Sequence, residues 1–310
     1  MKLLQQYRVY QLDAFTDEPF AGNPAAVVVC PQWPSEDEMQ KVAAEMNCSE
    51  TAFVLKGTAE DAEDGIDYYV RYFTPTQEVE LCGHATVAVW YALVIEGMVF
   101  AEKDGSVIWH QKTKAGVLPI ELTFADNDLI RVMMDQTTPI YGNDIADLSA
   151  LAGILGIAAE NIGCRGIAPK VVSTGLYDLL LPVASKKILD SITPDMLALA
   201  DFQQKHDFIS VHAFSFGDDG QLYARDFAPS VGIDEESATG TANCALAAYL
   251  TDCGVLPIVG GVAGLCVIQG YNMGRTSQIE TEIHLDAAGE IVRTRVGGQA
   301  AAILCGGLRF

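Results

Sequence analysis

The stretch YVRYFTP, residues 69–75, returns as YARDFAP, residues 223–229. Both fit Tyr-x-Arg-x-Phe-x-Pro, and they stand 154 residues apart in a chain of 310. Two further matches follow in the same order. GHATVAVWYAL (83–93) aligns with GTANCALAAYL (240–250) at an offset of 157, and Gly116 with Gly270 at 154 again. Self-similarity at half the chain length marks a duplication, in which one supersecondary plan is used twice. In each copy a strand leads into a loop, a glycine opens an alanine-rich helical run, and another strand follows.

Flanking segments fit the plan. PSEDEMQKVAAEMN (34–47) reads as a helix, with Ser35 as N-cap and Glu38 three residues on as a capping box. Met39, Val42, Ala43 and Met46 make its apolar stripe, and Asn47 suits the C-cap. SITPDMLALADF (191–202) predicts the comparable helix of the second half. The link between halves is expected near 126–128 or 137–142. The lobes then cover 1–128, joined by 298–310, and 129–297. With no low-complexity linker the two should pack closely, leaving the cleft between them as the natural place for a site.

Bulk properties narrow the function. A net charge of −22 argues against nucleic acid and anionic membrane, both of which favour clustered Lys and Arg. The longest apolar stretch, Val87 to Val99, is broken by Glu96 and Gly97 and falls short of the roughly 20 residues of a membrane span. The N-terminus carries no signal-like apolar run. Eight scattered cysteines without a CxxC pair read as reduced thiols, and five dispersed histidines offer no metal cluster. The expectation is a soluble cytoplasmic protein without metal.

The duplicated helix starts carry chemistry. Gly83-His84-Ala85 and Gly240-Thr241-Ala242 each expose backbone N–H groups at a partly positive helix end, and glycine lets a ligand approach closely. Two such starts suit a small carboxylate. His84 at one start and the acidic run Asp234–Ser237 before the other can move protons. A third group stands in MNCSETAFVL (46–55). Read as a strand, this segment puts Glu50 on the face of Ala52 and Val54, which should be packing. A solvated strand end is the plain explanation of that carboxylate; a general base is the other.

These residues resemble a family. YQLDAFTDEPFAGNPAAVVV, NCSETAFV, RYFTP…ELCGHATVA, STGLYDLLLPV, EESATGTANCALAAYL and QGYNMGR occur in the order seen in PhzF-like proteins. These are the phenazine-biosynthesis isomerases and their relatives, with the diaminopimelate epimerase fold. The resemblance spans nearly the whole chain. It implies an α+β fold of two pseudo-symmetric lobes, each a mixed sheet wrapped around a central helix, without a cofactor. A homodimer is consistent with it. It also implies Glu50 as the acid/base at carbon and His84 as its partner in proton transfer or hydrogen bonding. Ser49, Gly83, Ala85, Gly240, Thr241 and Ala242 are expected to bind substrate. Where the phenazine enzymes read E-D-P-A-T-G-S, this chain reads Glu235-Glu236-Ser237-Ala238-Thr239-Gly240-Thr241. The expected Asp is Glu236, one methylene longer, and the expected Ser is Thr241.

Racemases of this fold use two thiols, one before each helix start. Here the slots hold Cys82 and Thr239, and a threonine hydroxyl without a base is too weak to take a carbon-bound proton. The expected chemistry is therefore an isomerisation with Glu50, at a raised pKa, as base and with Glu236, His84 or Glu50 itself returning the proton. Arg275 offers a second anion contact. The alternatives are a non-catalytic binding protein on the same scaffold, or an epimerase or dehydratase of an amino or hydroxy acid.

Overall fold

A computed structural model describes residues 6–309. The chain divides into two compact units, one running to Asp135 and resuming at Gly297, the other Gln136–Val296. The first begins with β1 (Gln6–Ala14), β2 (Asn23–Cys30), α1 (Glu36–Met46), β3 (Glu50–Lys56) and α2 (Ala59–Glu63). It continues with β4 (Tyr68–Phe73), β5 (Glu78–Val79), α3 (Gly83–Ile95), β6 (Gly105–Thr113), β7 (Gly116–Ala125) and β8 (Asp128–Gln136). The second begins with β9 (Ile140–Tyr141), α4 (Leu148–Leu155), β10 (Lys170–Ser173), β11 (Tyr177–Pro182), α5 (Lys186–Ser191) and α6 (Met196–His206). Then come β12 (Ser210–Phe216), β13 (Leu222–Ala228), β14 (Ile233–Glu236) and α7 (Gly240–Asp252). β15 (Ile258–Val259), β16 (Val262–Gln269), β17 (Ser277–Leu285) and β18 (Ile291–Gly298) complete it, and β19 (Ala300–Arg309) belongs to the first unit. β8 pairs with β7 along most of its length, which keeps it with the first unit, so the division falls at 135/136 rather than at 128/129.

The duplication is legible in the strand pairing. In the first unit β1/β2 is antiparallel, β2/β3 parallel, β3/β4 antiparallel, β4/β6 parallel and β6/β7 antiparallel. The second repeats this with β10/β11, β11/β12, β12/β13, β13/β16 and β16/β17. Each parallel step needs a crossover. For the first step α1 supplies it in the first unit and α5 with α6 in the second; for the second step the segments carrying α3 and α7 do.

α3 and α7 are both 13 residues long and buried nearly all round, which suits a helix at the centre of a unit and not an amphipathic one at its surface. α3 packs on β1, β2, β3 and β19; α7 packs on β10, β11, β16 and β17. Trp90 of α3 meets Tyr68 edge to face at 5.6 Å and donates its indole N–H to Gln111. The arginine of each Tyr-x-Arg-x-Phe-x-Pro copy clamps the loop leading to its central helix. Arg71 grips Glu78 through two hydrogen bonds of 2.7 Å, and Arg225 grips Glu235 at 2.9 and 2.8 Å. Glu78 and Glu235 each stand four residues before the N-cap of their helix.

α1 has the expected cap: Ser35 and Glu38 form a capping box, and Asn47 closes the helix at φ 51°. The second-half helix differs from expectation. Ser191 ends the short α5, and α6 starts at Met196 with the Asp195 side chain capping Ala198. Pro194 disfavours helix at the residue before it, so the two cannot merge. The eight cysteines are free thiols. Among the described residues no helix is long and apolar enough to cross a membrane.

Candidate active site

In the first unit, α1 and the short turn after Asn47 deliver Glu50 to the first position of β3, opposite Ala25 of β2. Its carboxylate lies 3.1 Å from Nε2 of His84, the second residue of α3. Ser49 Oγ stands at the same 3.1 Å from that nitrogen. Nδ1 of the ring faces the Asn23 amide at 3.4 Å and the Cys82 thiol at 3.4 Å. The α3 start thus gathers Ser49, Glu50, Cys82 and His84.

The electrostatics bind these groups together. Burial is the largest influence on Glu50 and would raise its pKa. The His84 charge and hydrogen bonds from His84, Ser49 and Cys82 outweigh it, so the carboxyl titrates below its ordinary 4.5. The expected raised pKa is therefore corrected: the buried partner ring reverses the desolvation effect. His84 moves the other way. Burial would lower it, but Cys82 and Glu50 hold it well above 6.5. Burial foremost, then the Glu50 charge, pushes the Cys82 thiol up to about 11 against the pull of His84. Cys82 is a protonated thiol near neutrality and a poor nucleophile there.

Glu50, Cys82 and His84 place their donor atoms within 4.8 Å of one another, a set that could hold a metal ion. Sγ lies 3.4 Å from Nδ1 and 3.8 Å from Nε2, beside the ring and off either lone-pair axis. Thiol and imidazole do not converge on one point without rotation.

In the second unit, Thr239 is the N-cap of α7 as Cys82 is of α3, and neither side chain caps its helix. The Thr239 hydroxyl instead donates to Glu236 at 3.0 Å. Gln269, at the end of β16, donates to the Glu236 carbonyl at 2.9 Å and accepts from the Thr239 N–H at 3.2 Å. Thr174 donates to the Thr241 carbonyl at 2.9 Å, drawing the Ser173–Gly175 turn onto the helix start. Gly240, Thr241 and Ala242 form that start, and Gly83, His84 and Ala85 form the other.

Asn23, Thr174, Asn243 and Gln269 were not read as site residues from the sequence. Each lies within a motif quoted above, but an amide or a hydroxyl inside a motif carries no signature of its partner.

The family described as phenazine biosynthesis-like protein (PhzC-PhzF) matches residues 12–306. The chain belongs to this family. An uncharacterized isomerase of Clostridium acetobutylicum is 33% identical over 97% of both chains, and one of Deinococcus radiodurans is 35% identical over 95% of this chain and 92% of its own. The crystal structure of a PhzF-family phenazine biosynthesis protein from Bacillus anthracis superposes with a TM-score of 0.84, at 26% identity, covering 98% of this chain and 99% of that one. A hydroxyproline epimerase of Agrobacterium vitis, 12% identical with a TM-score of 0.61 over 98% of this chain and 92% of its own, shares the fold alone. The expected diaminopimelate epimerase-like α+β fold is thus the one adopted. As a PhzF-family protein the chain is an isomerase in class.

Proposed function

We propose that the protein moves a proton between carbons of a small carboxylated substrate without a cofactor, with Glu50 as the general base. The observation that carries this is the Glu50–His84 pair: an ionised, largely buried carboxylate 3.1 Å from a ring that holds its proton, at a helix start without a side-chain cap.

Glu50 takes the proton as the substrate C–H bond breaks, and the electron pair enters the substrate π system. A proton returns at a second carbon from His84, Glu236 or Glu50, the double bond shifts, and nothing is oxidised or reduced. A carboxylate with a lowered pKa is a weak base, so the substrate must supply an acidified carbon. The start of α3, through Gly83 and Ala85 with Ser49 beside Glu50, would hold the substrate carboxylate, and Gly240, Thr241 and Ala242 at the start of α7 offer the same kind of anion contact in the second unit. The protonated Cys82 thiol and the hydroxyl at Thr239 speak against a two-thiol racemase.

The test is proton NMR with trans-2,3-dihydro-3-hydroxyanthranilate in D2O, comparing wild type with Glu50→Gln. Solvent deuterium entering carbon in wild type alone supports the reading. Equal rates remove Glu50 as the base. No exchange in either protein rejects the phenazine-type substrate and favours a binding role for the scaffold.

A further inference from the structure

The second unit buries more polar side chains than its helix start requires. Asp178, Ser210, His212, Asp226, Asn243 and Gln269 are each no more than 2% exposed. They come from β11, β12, β13, α7 and β16, and they form one unbroken line of hydrogen bonds that ends on Glu236.

Backbone groups fix the direction of that line. Gln269 accepts from the Thr239 N–H and donates to the Glu236 carbonyl, so its amide has one possible orientation. Its Oε1 then requires a donor from Asn243, whose Nδ2 reaches it at 2.7 Å and the Thr239 carbonyl at 2.8 Å. With Nδ2 spent on two acceptors, Asn243 Oδ1 must itself accept, and His212 Nε2 lies 3.2 Å away. Nε2 therefore carries a proton. Nδ1 of the same ring meets the Asp226 carboxylate at 2.9 Å, across the antiparallel register that pairs His212 with Asp226.

Ser210 lies 2.7 Å from Asp226 and 2.9 Å from Asp178, and one hydroxyl proton cannot serve both. Burial, then the charge of Asp226, raises the Asp178 carboxyl well above its ordinary 3.8, so of the two carboxyls Asp178 is the one that favours keeping a proton. Asp178 then donates to Ser210, Ser210 to Asp226, and Asp226 holds the ring. Two amides interrupt the line before Glu236, so it transmits orientation and not protons.

The duplicated unit provides an internal comparison. Thr86, 157 residues before Asn243, donates to the Cys82 carbonyl at 2.8 Å as Asn243 donates to that of Thr239. Tyr72, 154 residues before Asp226, completes a neutral cluster with Thr86 and Gln111. That cluster contains no ionisable pair and ends on no carboxylate. Both units brace the N-cap of their central helix, and the second adds charge and a hold on Glu236.

We propose that His212 is a positioning residue for Glu236: its Nε2–H fixes Asn243 and Gln269, and these set the Thr239 hydroxyl that holds the Glu236 carboxylate. The proposal rests on Glu236 taking part in proton transfer.

The test uses the two amide isosteres of histidine. His212→Asn keeps a contact at the Nδ1 position toward Asp226 and loses the donor to Asn243. His212→Gln restores a donor near the Nε2 position. In the D2O exchange assay with trans-2,3-dihydro-3-hydroxyanthranilate, His212→Asn should lower kcat ten- to a hundredfold with KM little changed, because about 1 Å of misplacement costs that much. His212→Gln should recover most of it. In a Glu236→Gln background the two substitutions should make no further difference. Higher activity in the Asn than in the Gln variant, or losses that multiply with Glu236→Gln, overturns the positioning role. A fully active Glu236→Gln instead removes Glu236 from the reaction, and the proposal falls with that reading. Asn243→Ala, an alanine in a helix interior, repeats the test if the His212 variants do not fold. Should wild type not turn the compound over, a crystal structure of His212→Asn decides: Glu236 released from the Thr239 hydroxyl supports the proposal, and an unmoved carboxylate overturns it.

Discussion

Gly270 and Gly274 bracket the turn after β16 with nearly the same backbone, φ 73° and 70°, but in different surroundings. A Cβ on Gly274 meets nothing within 4 Å. A Cβ on Gly270 would overlap the Arg275 carbonyl and come within 2.6 Å of the Ser237 carbonyl. Alanine at either site pays the left-handed strain, about 1 kcal/mol. At Gly270 the Ser237 backbone must also retreat by about 1 Å to reach ordinary contact, and overpacking of this kind costs about 1–3 kcal/mol. Gly274→Ala should therefore lower Tm by about 2–4 °C, and Gly270→Ala two to four times as much, at about 2–4 °C per kcal/mol for a unit of this size. Ser237 adjoins Glu236, so Gly270→Ala should also slow deuterium exchange into the substrate by about a hundredfold, with Gly274→Ala close to wild type. Calorimetry and the D2O assay read the two effects. Equal Tm losses in the two variants would refute the argument from crowding.

The remaining predictions concern buried charge. Glu50 titrates below 4.5 and His84 above 6.5 in the folded chain. The Glu50 contribution to stability is full above pH 4.5 and lost as pH falls further, while that of His84 is full below pH 6.5 and lost as pH rises toward its folded value. Thermal melts across pH should show Glu50→Gln losing most, about 1.5–3 kcal/mol, between pH 4.5 and 6.5; a gap that does not vary with pH would count against the pair. Arg225→Ala leaves Glu235 largely buried without its arginine and strips a donor from the Leu189 and Ile192 carbonyls, at about 3–5 kcal/mol. Arg71→Ala leaves Glu78 with Lys114 at 2.6 Å and should cost about 1–2 kcal/mol; urea titrations of the two variants check this, and equal costs would show that Lys114 does not stand in for the lost arginine.

The amino-acid sequence by itself determined the duplication and the placement of local elements. Tyr-x-Arg-x-Phe-x-Pro recurs, the two glycine-led helix starts lie 157 apart, and Ser35 with Glu38 caps α1, because caps, turns and periodicity act over a few residues. Glu50 and His84 were legible as candidates for the same reason: each sits in a recognisable motif. Their coupling was not. Burial alone would make Glu50 a stronger base, and only the folded contact with His84 reverses the sign of its shift. The line from Asp178 to Glu236 belongs wholly to the tertiary structure. Its members stand on six elements from residue 178 to residue 269, and they acquire direction only where strand register and the buried α7 bring donors and acceptors together out of reach of water.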